Sequence, residues 1–300
     1  MAEFVSAKAL VLEAQERGYA IPAFNTNGAG YDLARAALEA AQELAAPVIL
    51  QVYEPNAAYR GFAYFVQLAA FLHAELGVRV PVALQLDHGK TVGSVKRALA
   101  AGFTSVMFDA SHQPLEVNIA QTGEVLAAAA RSGASVEAEV GYVTGNEPKP
   151  GKQIGRIPVP PSPAQTPAKT RVKEAVRFVG ACPVDMLAVA IGTTHGVYEQ
   201  QTDIDFALLA ELRQRLATPL VMHGTSGIDV ADLRRLARSG MAKINFGEPL
   251  RYNYIRYFNE LTDDMEHLWH PWRIMQEIML RLKADMRDLI LALGADGKAG

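Results

Sequence analysis

Short apolar runs alternate with amphipathic stretches along most of this chain. The runs fall at residues 21–24, 48–52, 82–86, 105–108, 136–140, 186–191, 220–222 and 242–246. Each is too short for a core helix, the pattern of a strand buried in a parallel sheet. Most of the intervals carry helical periodicity instead. Leu33, Ala36, Ala37, Ala40, Ala41 and Leu44 recur at three- and four-residue spacing, as do Leu208, Leu209, Leu212 and Leu216. Eight alternating β and α units over roughly 250 residues match an α/β fold of the (β/α)8 TIM-barrel type in number and size. A doubly wound open sheet is the competing architecture, and the count of units favours the closed barrel.

Two segments break the alternation. From Asn146 to Arg171 the chain carries Pro148, Pro150, Pro158, Pro160, Pro161, Pro163 and Pro167 with Gly151 and Gly155, which predicts a long loop without regular structure over residues 143–170. The loop follows the fifth strand, at the catalytic face of a barrel, where a lid and a tolerated surface insertion are both admissible. Beyond Tyr252, the residues Trp269, Trp272, Ile274, Met275, Ile278, Met279 and Leu282 are more apolar than an exposed tail should be. Residues 252–300 are therefore expected to form a helical extension packed on the barrel or on a partner subunit. One barrel domain over residues 1–300, loop and extension included, accounts for the chain.

Composition narrows the function. Of 300 residues 50% are hydrophobic, enough for one large core, and 29 Lys+Arg against 32 Asp+Glu give a net charge of −3. That balance argues against a nucleic-acid partner. The lone Cys182 excludes an internal disulfide framework, and residues 1–5 lack the basic flank and apolar core of a signal peptide. No uninterrupted apolar stretch reaches the roughly 18 residues that span a membrane. A cytoplasmic enzyme without a membrane partner is expected.

Candidate chemistry gathers at three histidines, each at the end of an apolar run and beside a glycine: Leu86-Asp87-His88-Gly89, Thr194-His195-Gly196 and Met222-His223-Gly224. In the barrel reading they leave the C-terminal ends of the third, sixth and seventh strands, the rim from which barrel enzymes build their sites. Three imidazoles meeting there can hold one metal ion, zinc above all, with a coordination position left for substrate. His73 lies in a helical stretch and His267 and His270 in the C-terminal segment, where surface or packing roles suffice. The residues by themselves stop at a metal-dependent lyase, isomerase or hydrolase.

Ordered motifs carry the reading further. They are Pro22-Ala23-Phe24-Asn25, Leu86-Asp87-His88-Gly89, residues 102–112 ending in Phe108-Asp109-Ala110-Ser111-His112, Val136-Glu137-Ala138-Glu139-Val140-Gly141, Gly192-Thr193-Thr194-His195-Gly196, His223-Gly224-Thr225-Ser226-Gly227 and Lys243-Ile244-Asn245. Together they resemble the motifs of the class II, zinc-dependent fructose- and tagatose-bisphosphate aldolase family. The resemblance implies that His88, His195 and His223 bind Zn2+, whose charge stabilises the enediolate formed as a carbon–carbon bond of a ketose breaks. It implies that Asp87 is the acid/base at the C4 hydroxyl, that Glu147 on the loop shuttles the proton at C3, and that Asn245 lies near the enediolate. Asp109 and Glu139 match carboxylates that hold the metal in an alternate or second position in part of the family, and a monovalent cation beside the zinc is a further implication.

Asn25, Gly196, Gly224, Ser226 and Gly247 match substrate-binding positions, where glycine lets backbone amides approach a phosphate. The implied substrate is a sugar phosphate, cleaved reversibly to dihydroxyacetone phosphate and an aldehyde. Fructose 1,6-bisphosphate is the default, with other sugar or sulfosugar phosphates as alternatives. The implied assembly is a homodimer or homotetramer. On the residues alone, orienting His88 is the lesser alternative for Asp87, Asp109 and Glu139 fit ordinary buried hydrogen bonds, and Asn245 fits equally a cap on the last strand.

Several positions depart from the family pattern. Thr144-Gly145 precedes Asn146-Glu147 where a diglycine is usual, Gln85 stands where a histidine is common, and Tyr53 where a serine is frequent. Gly247 replaces a frequent aspartate or asparagine and Glu248 a small hydroxyl. A carboxylate at Glu248 would repel a phosphate dianion, so either its side chain points away or the group bound there is not an ordinary phosphate. Arg60, Lys90, Lys152, Arg156 and Arg251 are candidates for the far anionic group. Lys243 is placed for Schiff-base chemistry, which three metal-type histidines make superfluous. The competing functions are a metal-dependent hydrolase on the same barrel, an aldolase of non-phosphorylated ketoses, and a noncatalytic sugar-phosphate binder; Asp87 and Glu147 argue against the last.

Overall fold

The computed structural model describes residues 4–28, 30–143, 168–196, 204–262 and 270–299, with backbone alone at 153–154 and 157–158. The strands are β1 (Ile21–Asn25), β2 (Val48–Tyr53), β3 (Val82–Gly89), β4 (Ser105–Phe108), β5 (Ser135–Val140), β6 (Gln153–Ile154), β7 (Ile157–Pro158), β8 (Met186–Val189), β9 (Leu220–Met222) and β10 (Met241–Phe246). All but β6 and β7 close into one parallel barrel in the order β1-β10-β9-β8-β5-β4-β3-β2. The seam is sealed by β1 on β10, with Ile21 opposite Lys243 and Phe24 opposite Phe246. Every apolar run of the sequence is a barrel strand. β3 continues past its run through Asp87, His88 and Gly89, and β8 stops short at Val189.

The helices are α1 (Ala7–Arg17), α2 (Gly30–Glu43), α3 (Glu54–Arg60), α4 (Phe62–Glu75), α5 (Val92–Ala101), α6 (Leu115–Ala129), α7 (Val172–Ala181), α8 (Phe206–Arg215), α9 (Val230–Arg238), α10 (Glu248–Thr262) and α11 (Pro271–Leu293). α2 buries its predicted stripe, Leu33, Ala36, Ala37, Ala40 and Ala41, against the strands. Local chemistry fixes several ends. Thr91 and Ser94 form a capping box on α5, Asp205 and Asp229 cap α8 and α9, and left-handed Gly102 and Gly294 end α5 and α11. α1 lies across the N-terminal ends of the strands, with contacts to β1, β3 and β10. Among the described residues no helix is long and apolar enough to cross a membrane.

Of the two placements expected for the C-terminal segment, the structure shows packing on the barrel: α11 lies between α2 and α9 and against β1, closing the helical ring, and it buries Ile278, Met279 and Leu282. Its apolar stripe is the barrel-facing side of a ring helix. α10, which follows β10 directly, is the additional helix. One expectation needs correction: the proline-rich loop is not wholly irregular, because β6 and β7 form a small antiparallel hairpin that pairs Ile154 with Ile157 and Gln153 with Pro158. Proline is tolerated there because it ends a two-residue edge strand. The excursion leaves and re-enters at one point, where Tyr142 and Ala168 form a bridge. Thr170 Oγ1 donates to Val140 O and accepts from Ala190 N (2.8 Å), tying β5 to the chain beyond β8.

The barrel interior is polar where the site will be. Along β5 and β10 the sequence alternates strictly, Glu137 and Glu139 with valine and alanine, Lys243 and Asn245 with alanine, isoleucine and phenylalanine. The period of two turns the polar set inward and the apolar set toward the helices. Lys243 Nζ donates to Glu137 Oε2 (2.7 Å) and Asn245 Oδ1 (2.7 Å), and Gln85 Nε2 donates to Glu137 Oε2 (2.7 Å). Ser105 and Ser135 extend the chain of bonds from Gln85. Removing one member of so buried an ion pair costs about 3–5 kcal/mol, since the other charge is stranded.

Candidate active site

Asp87 and His88 would face opposite sides of a regular strand. A register shift against β4 between Leu86 and Gly89, with His88 at φ 48°, brings both side chains to the same end of the barrel. Gly89 makes the bulge possible, because a Cβ there would stand 2.7 Å from Met107 O and 2.8 Å from Val95 Cγ2. His223 directly follows β9. His195 does not sit at a strand end as expected; it lies farther along the segment that follows β8, and reaches back to the other two rings. That segment is held by Thr193 Oγ1, which donates to His223 O (2.7 Å), and by the close passage of Gly224, whose φ is +74° and where a Cβ would lie 2.5 Å from Thr194 O.

The three imidazoles converge. Ring centroids of His88, His195 and His223 are 4.8–5.8 Å apart, and each ring offers a nitrogen within 4.8 Å of those of the other two. His88 Nε2 and His223 Nδ1 are 3.1 Å apart, close to the separation of about 3.3 Å for two nitrogens bound to one tetrahedral zinc. Each ring's other nitrogen faces a carboxylate: His88 Nδ1 to Asp109 Oδ2 at 2.9 Å, His223 Nε2 to Glu137 Oε1 at 2.9 Å, and His195 Nδ1 to Glu248 Oε1 at 3.1 Å. A carboxylate only accepts, so each favours the ring proton on its own side and turns the other nitrogen inward. This donor set fits a divalent ion. Asp109 with Glu139 and His88 forms a second cluster of possible ligands.

Burial and the neighbouring carboxylates set the electrostatics of the cluster. Burial works against a proton on His88, but Asp87 and Asp109 outweigh it and push its pKa up to about 9. Burial dominates at His223, which is pushed down to about 4 despite Glu137. Glu139 is raised to about 8 by burial and by Asp109. Burial opposes ionisation of Glu248, yet His195 and Arg251 hold it down at about 2. Lys90 pairs with Asp109.

The catalytic candidate Asp87 is 3% exposed. Its Oδ2 accepts from Asn25 Nδ2 (2.9 Å) and its Oδ1 from Asn245 Nδ2 (3.4 Å). The carboxylate paired with His88 Nδ1 is that of Asp109. Asn245 also lies 3.2 Å from His223 Nε2, which ties it to the site rather than to a strand cap. Gly247 packs on Asn25, Ser226 is buried, and Tyr53 stands edge-on to His88 with centroids 6.1 Å apart. Lys243, fully engaged with Glu137 and Asn245, has no free amine for a Schiff base. Glu147, Lys152 and Arg156 lie outside the described residues.

Sequence reasoning missed two residues, Glu137 and Glu248, as the partners of His223 and His195. The alternation of β5 was the signal for Glu137; nothing local signalled Glu248, whose partner lies 53 positions away.

The family model described as "Fructose-bisphosphate aldolase class-II" matches residues 5–298. The chain belongs to that family. Class II fructose-bisphosphate aldolases are metal-dependent lyases, and this aldolase has, among its described residues, His/Asp/Glu groups that could hold a metal ion. It is 36% identical to a 6-phospho-5-dehydro-2-deoxy-D-gluconate aldolase of Bacillus licheniformis over 99% of this chain and 97% of that one. It is 34% identical to a fructose-bisphosphate aldolase of Staphylococcus aureus over 98% and 99%. The crystal structure of the YdjI aldolase from Escherichia coli K12 superposes with a TM-score of 0.82 at 27% identity, covering 99% of this chain and all of that one.

Proposed function

We propose that this aldolase reversibly cleaves a phosphorylated ketose between C3 and C4, giving a three-carbon ketone and an aldehyde, with Zn2+ held by His88, His195 and His223. The convergence of three imidazoles, each backed by its own carboxylate, carries the reading. When bound, the ion supplies Lewis-acid charge at the ketone oxygen and its neighbouring hydroxyl. Asp87 takes the C4 hydroxyl proton as the bond breaks and returns it in the condensation direction; Asn25 and Asn245 hold its carboxylate toward that oxygen. Asn245, bonded to both Asp87 and Lys243, presents its amide where negative charge develops. Glu147 on the excursion between β5 and α7 is assigned the proton at C3. Backbone at Gly196, Gly224, Ser226 and Gly247 lines the ketone end of the substrate. Both curated relatives above are named for phosphorylated sugar compounds, which supports the substrate class. The exposed stripe Tyr252, Ile255 and Phe258 on α10, with Trp272 of α11, supports a homodimer or homotetramer.

Exhaustive chelation should abolish cleavage and zinc should restore it. His195→Ala should lose metal and activity together, whereas Asp87→Ala should keep the metal and lose at least about 100-fold in kcat. Metal analysis beside an aldehyde-release assay checks both; full activity in metal-free protein, or borohydride trapping of a lysine adduct, overturns the proposal.

A further inference from the structure

We propose that Glu248 makes this site select ketoses whose C1 carries a free hydroxyl, so that the three-carbon product is dihydroxyacetone rather than its phosphate. The inference rests on the aldolase reading above and concerns the ketone end of the substrate only; the phosphate then sits on the aldehyde half.

In a (β/α)8 barrel, the loops after the last strands and the N-terminus of an additional helix are the usual berth for a substrate phosphate. α10 is that helix here, since the ring position belongs to α11. Its first residue is Glu248, and the side chain does not point away from the site. Its Oε1 lies 3.1 Å from His195 Nδ1, with the side chain 17% exposed. One imidazole therefore separates this carboxylate from the nitrogen that His195 turns toward the metal. With the ketone bound at an ion held by the three histidines, a substituent on C1 directed toward the N-terminus of α10 would fall within its field. The berth that would hold an incoming anion already contains one belonging to the protein.

Among the described residues, two nearby cations are engaged with other carboxylates, Lys90 with Asp109 and Lys243 with Glu137. A phosphate dianion at C1 would meet a like charge in a poorly hydrated corner, whereas a hydroxyl can donate to it. Gly247 adds no charge or donor side chain, and Tyr53 crowds the approach beside His88.

The test uses the zinc-loaded full chain, condensing D-glyceraldehyde 3-phosphate with dihydroxyacetone or with dihydroxyacetone phosphate, together with calorimetric binding of both ketones and of inorganic phosphate. The expected kcat/KM favours dihydroxyacetone by at least about 100-fold, with no binding of phosphate at the site. Glu248→Gln keeps an acceptor for His195 and removes the charge; it should retain zinc, cut the discrimination at least tenfold and gain calorimetric binding of dihydroxyacetone phosphate. Glu248→Ser serves as a second variant, with zinc content measured in each. A wild-type preference for dihydroxyacetone phosphate, or equal binding of that ligand by wild type and Glu248→Gln, overturns the inference while leaving the aldolase reading intact. Absence of condensation with either ketone overturns the aldolase reading, and the calorimetry then still decides whether Glu248 rejects the phosphate.

Discussion

Glu137 touches three partners that do different jobs: His223, Lys243 and Gln85. Burial alone would raise its pKa, but Lys243 and His223 hold it well below the usual carboxylate range, so it stays charged inside the barrel. Glu137→Gln preserves shape and removes that charge, leaving the ammonium of Lys243 with a neutral neighbour. A loss of about 3–5 kcal/mol is expected in denaturant unfolding of the metal-free protein. Combining it with Lys243→Met should recover most of that loss, because neither charge then remains. At this scale the sequence was informative where chemistry repeats locally. The three histidines declared themselves by their glycine neighbours, His88 and His223 also by strand ends, whereas the strict alternation that marks Glu137 was present but not read. Glu248 was visible only as an oddity, since its meaning depends on a contact between a loop and a helix that no spacing encodes.

Elements aim these residues through their irregularities. The bulge in β3 delivers Asp87 and His88 to one side, and the passage of Gly224 against Thr194 sets the course of the segment bearing His195. Gly224→Ala combines a left-handed φ with a Cβ 2.5 Å from a carbonyl oxygen, so the His195 segment must shift. Zinc affinity is expected to fall at least about tenfold, measured by competition with a chelating dye, while the barrel's circular dichroism stays unchanged. Hydrophobic patterning locates strands and helices but carries no information on a one-residue bulge or on which loop approaches which. That is why the barrel was readable in outline while the end of β3 and the placement of His195 were not.

For the whole molecule, the count of units announced the barrel, and the closed ladder from β1 to β10 bears it out. The role of the last helix was less legible, because an amphipathic stripe reads the same whether it covers a sheet or a partner. α11 uses its stripe on the barrel, while α10 exposes Tyr252, Ile255 and Phe258 and the start of α11 exposes Trp272. Sedimentation equilibrium is expected to find at least a dimer, and Ile255→Asp should shift it toward monomer without loss of helix content.

The closing seam also orders events in time. β1 needs β10 beside it, α2 needs α11 over it, and the backbone at Leu44 and Ala45 accepts hydrogen bonds from Gly297 and Ala299. During synthesis β1 and α2 therefore stay without these neighbours until β10 and α11 have emerged, and the nascent barrel must be kept from aggregating over that interval.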